Sequence, residues 1–120
     1  MKTTQVKWKD QPEEHDYPAA LSYLSLVMEP SDASTSVNLL EKAPISEFKA
    51  KDIFRASGLP ILGRDNFHVK KGVKTIEAGE KMTPILLVRS LAHLIIADGY
   101  HRMCAVYTYN EDAVIRCKIV

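Results

Sequence analysis

The chain has 120 residues, 46% of them hydrophobic, and its 16 basic residues nearly balance 15 acidic ones. This size and composition predict one domain with a single modest core. The near-neutral charge disfavours a nonspecific nucleic-acid binder, which usually carries a basic excess. No apolar run approaches the roughly 18 residues that a membrane-spanning helix needs, so we expect no membrane segment.

Residues 1–16 are polar and charged, and they predict an exposed arm whose main apolar anchor is Trp8. The segment lacks the apolar core of a secretory signal. Cys104 and Cys117 show neither metal-ligand nor redox-motif spacing. We therefore expect a cytoplasmic protein with reduced thiols.

Two amphipathic segments follow and predict a helical hairpin over residues 17–43. The first helix is expected to begin near Asp16 or Pro18, since aspartate is a good helix cap and proline is tolerated in a first turn, and to end at Pro30. The second is expected to begin at a serine cap, either Ser31 or Ser34. Apolar side chains recur on one face of each helix, so the pair is expected to pack on the rest of the protein.

Residues 44–120 alternate between short strands and short helices. The apolar side chains Val69, Val73 and Ile76 predict the buried face of one helix. The expected elements are strand 45–50, helix 51–57, loop 59–66, helix 66–78, strands 84–88 and 94–97 as a hairpin, helix 100–109 and strand 114–120. This order predicts an α+β fold in which a small mixed sheet packs against helices.

The motif Asp98-Gly99-Tyr100-His101-Arg102 carries the strongest functional signal. It follows a buried-looking strand and opens a helix, whose first backbone N–H groups lack partners and carry partial positive charge. Gly99 allows a ligand to approach the backbone, and Arg102 offers a planar set of donors that suits phosphate oxygens. The motif therefore predicts an anion site, most naturally for phosphate.

This turn, the proline-led strand Pro84-Ile85-Leu86-Leu87-Val88 and the small residue Ala105 together resemble the ParB N-terminal domain and sulfiredoxin superfamily. The resemblance covers about residues 45–120. Many members bind the phosphates of ATP or CTP at the turn, and a related free-serine kinase uses the fold for phosphoryl transfer. The resemblance implies the same fold over residues 44–120, and a nucleotide bound by Gly99, Tyr100, His101 and Arg102.

The resemblance also implies phosphate contacts from the helix that precedes the proline-led strand. The matching positions are His68, Lys71 and Thr75. Their spacing of i, i+3 and i+7 places them on one helical face. Sulfiredoxins usually have lysine where this chain has His68, so charge at this position would depend on pH.

Each motif residue also has a structural interpretation. Asp98 either caps the helix or serves as a Mg²⁺ ligand or catalytic base, and Glu47 on the first strand is a second candidate base. Arg102 either binds phosphate or pairs with a carboxylate, and His101 either binds phosphate or bonds a carbonyl. Tyr100 either stacks on a base or covers the turn.

Sulfiredoxin chemistry needs a cysteine where Tyr100 stands, and Cys104 lies a full helical turn later, so we do not expect sulfinic acid reduction. The leading hypothesis is a nucleotide- or phosphate-binding protein, with ATP-dependent phosphotransferase or ATPase activity as its enzymatic form. The alternative is a non-catalytic module that binds a partner protein or a second copy through residues 17–43. A weaker alternative is a nucleic-acid-binding protein, or a nuclease of the ParB-like kind.

Overall fold

A computed structural model describes residues 5–120; residues 1–4 of the expected arm lie outside the described part. The described chain has an α+β fold, as the sequence predicts. Its elements are β1 (Lys7–Trp8), α1 (Asp16–Val27), α2 (Pro30–Lys42), β2 (Ser46–Lys49), α3 (Ala50–Ser57), α4 (Phe67–Glu77), β3 (Lys81–Met82), β4 (Ile85–Val88), β5 (Ile95–Asp98), α5 (Tyr100–Tyr109) and β6 (Val114–Ile119).

Four strands form a mixed sheet in the order β2-β6-β4-β5. β4 runs antiparallel to β5 and parallel to β6, and β6 runs antiparallel to β2. The β4–β5 pair is the hairpin that the sequence predicts. All four residues of β4 are buried, because helices cover both faces of the sheet.

The two faces carry separate apolar clusters. Leu87 belongs to the cluster formed with α3, α4 and α5, whereas its neighbours Leu86 and Val88 pack against Leu24 and Leu40 of the α1–α2 hairpin. This alternation follows from the period of two along a strand. The hairpin is therefore one of the two layers that bury the sheet.

The N-terminal segment is less exposed than its composition predicts. β1 pairs in parallel with β3, so that Trp8 lies opposite Met82 and is half-buried against the core. Asp16, the last residue of the expected arm, is only 4% exposed. A two-residue strand has no periodicity of its own, so local patterning does not reveal such a pairing.

Three helix boundaries also differ from expectation. α1 ends at Val27, and Pro30 is the first residue of α2 rather than the end of α1. Proline suits this position because its missing N–H would be unpaired there in any case. The expected serine caps Ser31 and Ser34 therefore lie inside α2. Likewise Ala50, expected at the end of a strand, begins α3.

The contact between α4 and α5 determines the geometry of the predicted site. A Cβ on Gly72 would lie 2.7 Å from Ala105 Cβ, so the glycine permits a close approach of the helices. Four residues earlier on each helix, the rings of His68 and His101 lie 4.9 Å apart. The two helices therefore run in the same direction, and their N-termini lie side by side.

No helix within residues 5–120 has the length and apolar character to cross a lipid bilayer.

Candidate functional site

Gly99 is the N-cap of α5 and has the left-handed backbone conformation, with φ of 105°. A Cβ at this position would overlap Ile85 Cγ2 and lie 2.8 Å from Arg102 Nη2. Only glycine fits, because both the backbone angle and the space exclude other side chains. The space beside its Cα is thus filled by the protein's own side chains, and an approach of a ligand to this backbone remains a prediction.

The first turn of α5 has no side-chain cap. The first N–H to form a helical hydrogen bond is that of Met103, which donates to the Gly99 carbonyl at 2.9 Å. Within residues 5–120, the N–H groups of Tyr100, His101 and Arg102 have no hydrogen-bond acceptor. Such groups carry the partial positive charge of a helix N-terminus.

Arg102 lies between two carboxylates. Its Nη2 donates to Asp98 Oδ2 at 2.8 Å, and its Nη1 lies 3.9 Å from Asp16 Oδ2. The Nε atom of Arg102 is buried and has no partner among the described residues. The structure therefore matches the interpretation in which Arg102 pairs with a carboxylate. Asp98 is not the helix cap, because the cap is Gly99 and the Asp98 side chain bonds Arg102 instead.

The charges at this cluster do not balance. Burial raises the pKa of Asp98, and the nearby Asp16 carboxylate raises it further, while Arg102 opposes both effects. Asp16 accepts a hydrogen bond from the Glu13 N–H at 2.9 Å, and His15 Nε2 lies 3.4 Å from its other oxygen. With both carboxylates ionised, one guanidinium leaves a net negative charge. Arg102 therefore presents no free positive charge to a ligand.

Tyr100 and His101 lie at the start of α5 with different partners. Tyr100 Oη donates to the Pro60 carbonyl at 2.6 Å, which ties the turn to the loop after α3. His101 is exposed and faces His68 of α4. Partial burial and the neighbouring His68 lower the pKa of His101, so its imidazole is neutral near pH 7. A neutral imidazole still offers one N–H donor.

Two surface depressions meet at residues 98–101. We call the first the polar depression; it has a volume of about 300 Å³ and is lined by His15, Asp16, Ala19, Asp98, Gly99, Tyr100, His101 and Arg102. We call the second the apolar groove; it has a volume of about 580 Å³ and is lined by Ala19, Tyr23, Leu59, Pro60, Ile96, Ala97, Asp98, Gly99, Tyr100 and His101. The start of α5 therefore forms the ridge between them.

The wall that α1 contributes was missed by sequence reasoning. His15, Asp16, Ala19 and Tyr23 come from a segment outside the resemblance, and they reach the turn only because α1 packs beside β5. Their spacing shows nothing beyond an amphipathic helix. The sequence predicts Asp16 as a helix cap, but the N-cap of α1 is His15 and Asp16 is the first helical residue. Neither position indicates a contact with Arg102.

Two of the three α4 residues lie away from the turn. Lys71 and Thr75 are about 4.5 and 10.5 Å further along the axis of α4 than His68, at 1.5 Å per residue. None of the three residues lines the polar depression or the apolar groove, but the His68 ring lies 4.9 Å from that of His101. Thr75 Oγ1 donates to the Lys71 carbonyl at 3.1 Å. Among the three, the structure brings His68 alone beside the start of α5.

Glu47, the second candidate base, lies elsewhere in the molecule. It belongs to β2, and it lines a separate depression of about 350 Å³ together with Trp8 and Tyr109. The sheet order places β2 and β5 at opposite edges, so Glu47 and the turn after β5 do not share a site. The structure therefore does not bring Glu47 to the turn.

The donor set of the turn limits which metals it can hold. Within residues 5–120, no group of three or more His, Cys, Asp and Glu side chains is placed to bind a metal ion. Asp98 and Asp16 supply two carboxylates at most. Magnesium is commonly held by one or two carboxylates with phosphate and water as the other ligands, so this pair fits Mg²⁺ only together with a bound phosphate.

Comparisons of the chain with protein-family models, curated proteins and solved structures find no match. The resemblance to the ParB and sulfiredoxin superfamily therefore remains a prediction from the motif.

Proposed function

We propose that the protein binds a phosphate group at the N-terminus of α5, and that its ligand is a nucleoside triphosphate such as ATP or CTP. The observation that carries this proposal is the uncapped first turn, where the N–H groups of Tyr100, His101 and Arg102 have no acceptor among the described residues. Such a turn is a site where anions bind well. The choice of a nucleotide rests on the sequence resemblance alone.

The side chains around the turn supply further donors. The imidazole rings of His101 and His68 offer N–H groups at the N-terminal ends of two adjacent helices. Arg102 Nη2 already donates a hydrogen bond to Asp98. A phosphate group could therefore contact this nitrogen only if it replaced the Asp98 carboxylate as the acceptor. Asp98 would then hold Mg²⁺ against the phosphates. In the enzymatic form of the proposal, an ATP-dependent phosphotransferase or ATPase, Asp98 is also the candidate base.

Thermal unfolding with ATP, CTP, ADP or inorganic phosphate, each with and without Mg²⁺, tests this proposal. A ligand at 100 times its Kd stabilises the folded protein by about 2.7 kcal/mol, which raises the melting temperature by several degrees. An unchanged melting temperature at millimolar concentrations of all four ligands would contradict phosphate binding. A rise in melting temperature with ATP and CTP but not with ADP or inorganic phosphate would support a nucleoside triphosphate as the ligand.

A pair of variants tests whether the anion binds at the first turn of α5. His101→Glu places a carboxylate there and should abolish binding by repulsion, whereas the neutral His101→Gln should reduce it only slightly. Equal binding by the two variants would place the anion elsewhere.

We also propose that the protein is cytoplasmic. Both cysteines are buried and unpaired. Burial raises the pKa of Cys117 to about 12, so this thiol is unreactive near pH 7. Unpaired thiols are typical of a reducing compartment.

The second candidate function is a non-catalytic module that binds a partner protein through residues 17–43. It is favoured by exposed apolar side chains on the hairpin: Leu26 is 84% exposed, and Val27 and Leu39 are about half exposed. Deleting the hairpin cannot test it, because Leu86 and Val88 would lose their cover.

A photo-crosslinking residue at position 26 tests the module in cells. The expected result is a defined protein adduct that Leu39→Ser abolishes and that Ser22→Ala leaves intact. An adduct that is insensitive to Leu39→Ser, or an adduct with a second copy of the chain, would contradict this candidate.

A further inference from the structure

The two edges of the four-stranded sheet differ in exposure. At one edge, α1 packs beside β5, and Ile95, Ile96 and Ala97 are all buried. At the other edge, three of the four residues of β2 are exposed, including Phe48 at 39%. An uncovered edge strand presents unpaired backbone groups to any other strand.

The direction of the free backbone groups on β2 follows from its pairing with β6. Ala50 donates its N–H to the Ala113 carbonyl at 2.9 Å, so the backbone groups of residue 50 point toward β6. Because these directions alternate along an antiparallel strand, those of Phe48 also point toward β6. The N–H groups of Glu47 and Lys49 and the Glu47 carbonyl therefore point outward, and none of the three forms a backbone hydrogen bond with residues 5–120. Lys49 is the N-cap of α3, so its carbonyl faces the first turn of that helix.

We propose that β2 pairs antiparallel with β2 of a second copy of this chain, with the two-fold axis at Phe48. Two four-stranded sheets then join into one of eight strands. This register places Glu47 opposite Lys49 of the second copy, and each Lys49 N–H can then donate to the Glu47 carbonyl of the other copy. Phe48 faces its own counterpart, in the type of pair where side chains approach most closely.

The charge pattern selects this register over its neighbours. Outward groups at residues 47 and 49 can meet in three ways: 47 with 47, 49 with 49, or 47 with 49. The first places two glutamates directly opposite each other, and the second does the same with two lysines. Like charges directly opposite each other destabilise a strand pair, whereas opposite charges stabilise it. The sequence Glu47-Phe48-Lys49 is thus self-complementary only in the proposed register.

The charges needed for this contact are available. Neither Glu47 nor Lys49 takes part in an ion pair among residues 5–120. Because β2 and β5 are opposite edges, the dimer leaves the start of α5 accessible, and this inference does not depend on the proposed phosphate site.

Charge reversal tests the register. Sedimentation equilibrium of the full chain over micromolar to millimolar concentrations should show a monomer–dimer equilibrium. Glu47→Lys and Lys49→Glu should each weaken dimerisation about tenfold to hundredfold, since each converts two attractive pairs into repulsive ones. The double variant should restore the wild-type value, and Glu14→Lys, an equal charge change elsewhere, should leave it unchanged.

Proline substitution tests the backbone pairing. The φ angle of Lys49 is −68°, which proline adopts, and its N–H is unbonded within the described part of the monomer. Lys49→Pro should therefore retain the folded monomer, as checked by circular dichroism, and abolish the dimer. Lys49→Ala removes the same charge but keeps the N–H, so it should dimerise measurably better than Lys49→Pro.

Three outcomes would overturn the proposal. The first is a wild-type monomer at all concentrations. The second is a dimer that tolerates both single charge reversals, which would place the contact elsewhere, for example on the hairpin. The third is equal dimerisation of the proline and alanine variants.

Discussion

The N-termini of α4 and α5 lie side by side and satisfy their first N–H groups differently. In α4, Asn66 Oδ1 accepts from the N–H groups of His68 at 3.0 Å and Val69 at 3.2 Å. In α5, the N-cap is Gly99, which has no side chain, and the nearby Asp98 bonds Arg102 instead. The N-terminus of α4 is therefore capped by the Asn66 side chain, while the first N–H groups of α5 remain available to an anion.

The backbone explains why α5 lacks a cap of the α4 type. Asn66 has the extended conformation from which a side chain reaches the first turn. Gly99 instead has positive φ, and Ile85 occupies the position of its Cβ. Any residue with a capping side chain would need a different path from β5 into α5. The open turn is thus a consequence of how tightly β4, β5 and α5 meet.

The largest expected effect on stability comes from adding a side chain to Gly99. Gly99→Ala should lower the free energy of unfolding by about 3 kcal/mol, the sum of left-handed strain and overpacking against Ile85. Gly58→Ala is the matched control, because Gly58 has φ of 67° and open space around its Cα. It should cost only about 1 kcal/mol. Urea denaturation measures both, and equal losses would show that the contact with Ile85 is unimportant.

Removing the cap of α4 should have the next largest effect. Asn66→Ala leaves the N–H groups of His68 and Val69 without their acceptor and should destabilise the protein by about 1 kcal/mol. Asn66→Asp, which keeps an accepting oxygen, should cost much less. Chemical denaturation of the three proteins provides the comparison. If the alanine and aspartate variants had the same free energy of unfolding, the Asn66 side chain would not stabilise the N-terminus of α4.

These contrasts also show how far sequence reasoning extends. The period of apolar residues correctly predicted the buried face of α4, namely Val69, Val73 and Ile76. The pairing of Asp98 with Arg102 had a local signal only in its short separation of four residues, because Asp98 is the last residue of β5 and lies outside α5. The approach of Asp16 to the same guanidinium had none. Contacts between residues so distant in sequence depend on how α1 packs, which local pattern does not encode.

A smaller effect is expected from the titration of Asp98. Its raised folded pKa means that the folded protein holds a proton above the ordinary value of 3.8, where the unfolded chain has lost it. Stability from this group is therefore full below the unfolded pKa and is lost as pH rises through the folded one. Relative to Asp98→Asn, the wild type should lose free energy of unfolding as pH rises from 3 to 7.

Urea denaturation across this pH range measures the difference. The loss should be modest, since the attraction of Arg102 opposes the effects of burial and of the neighbouring Asp16. If the free energy of unfolding of the wild type instead rose with pH relative to that of Asp98→Asn, Arg102 would outweigh burial at Asp98.

The smallest expected effect on stability compares the uncapped N-terminus of α5 directly with the capped N-terminus of α4. His101→Glu places a carboxylate in the first turn of α5, where the helix dipole favours negative charge by about 0.3–1 kcal/mol. The variant should therefore be slightly more stable than His101→Gln in urea denaturation, even though it is expected to lose phosphate binding. His68→Glu, compared with His68→Gln, makes the same change at α4, where Asn66 already fills the cap, and should gain less. If stability fell at His101, the two carboxylates near Arg102 would dominate the local field, and the uncapped N–H groups would be too weak to hold an anion.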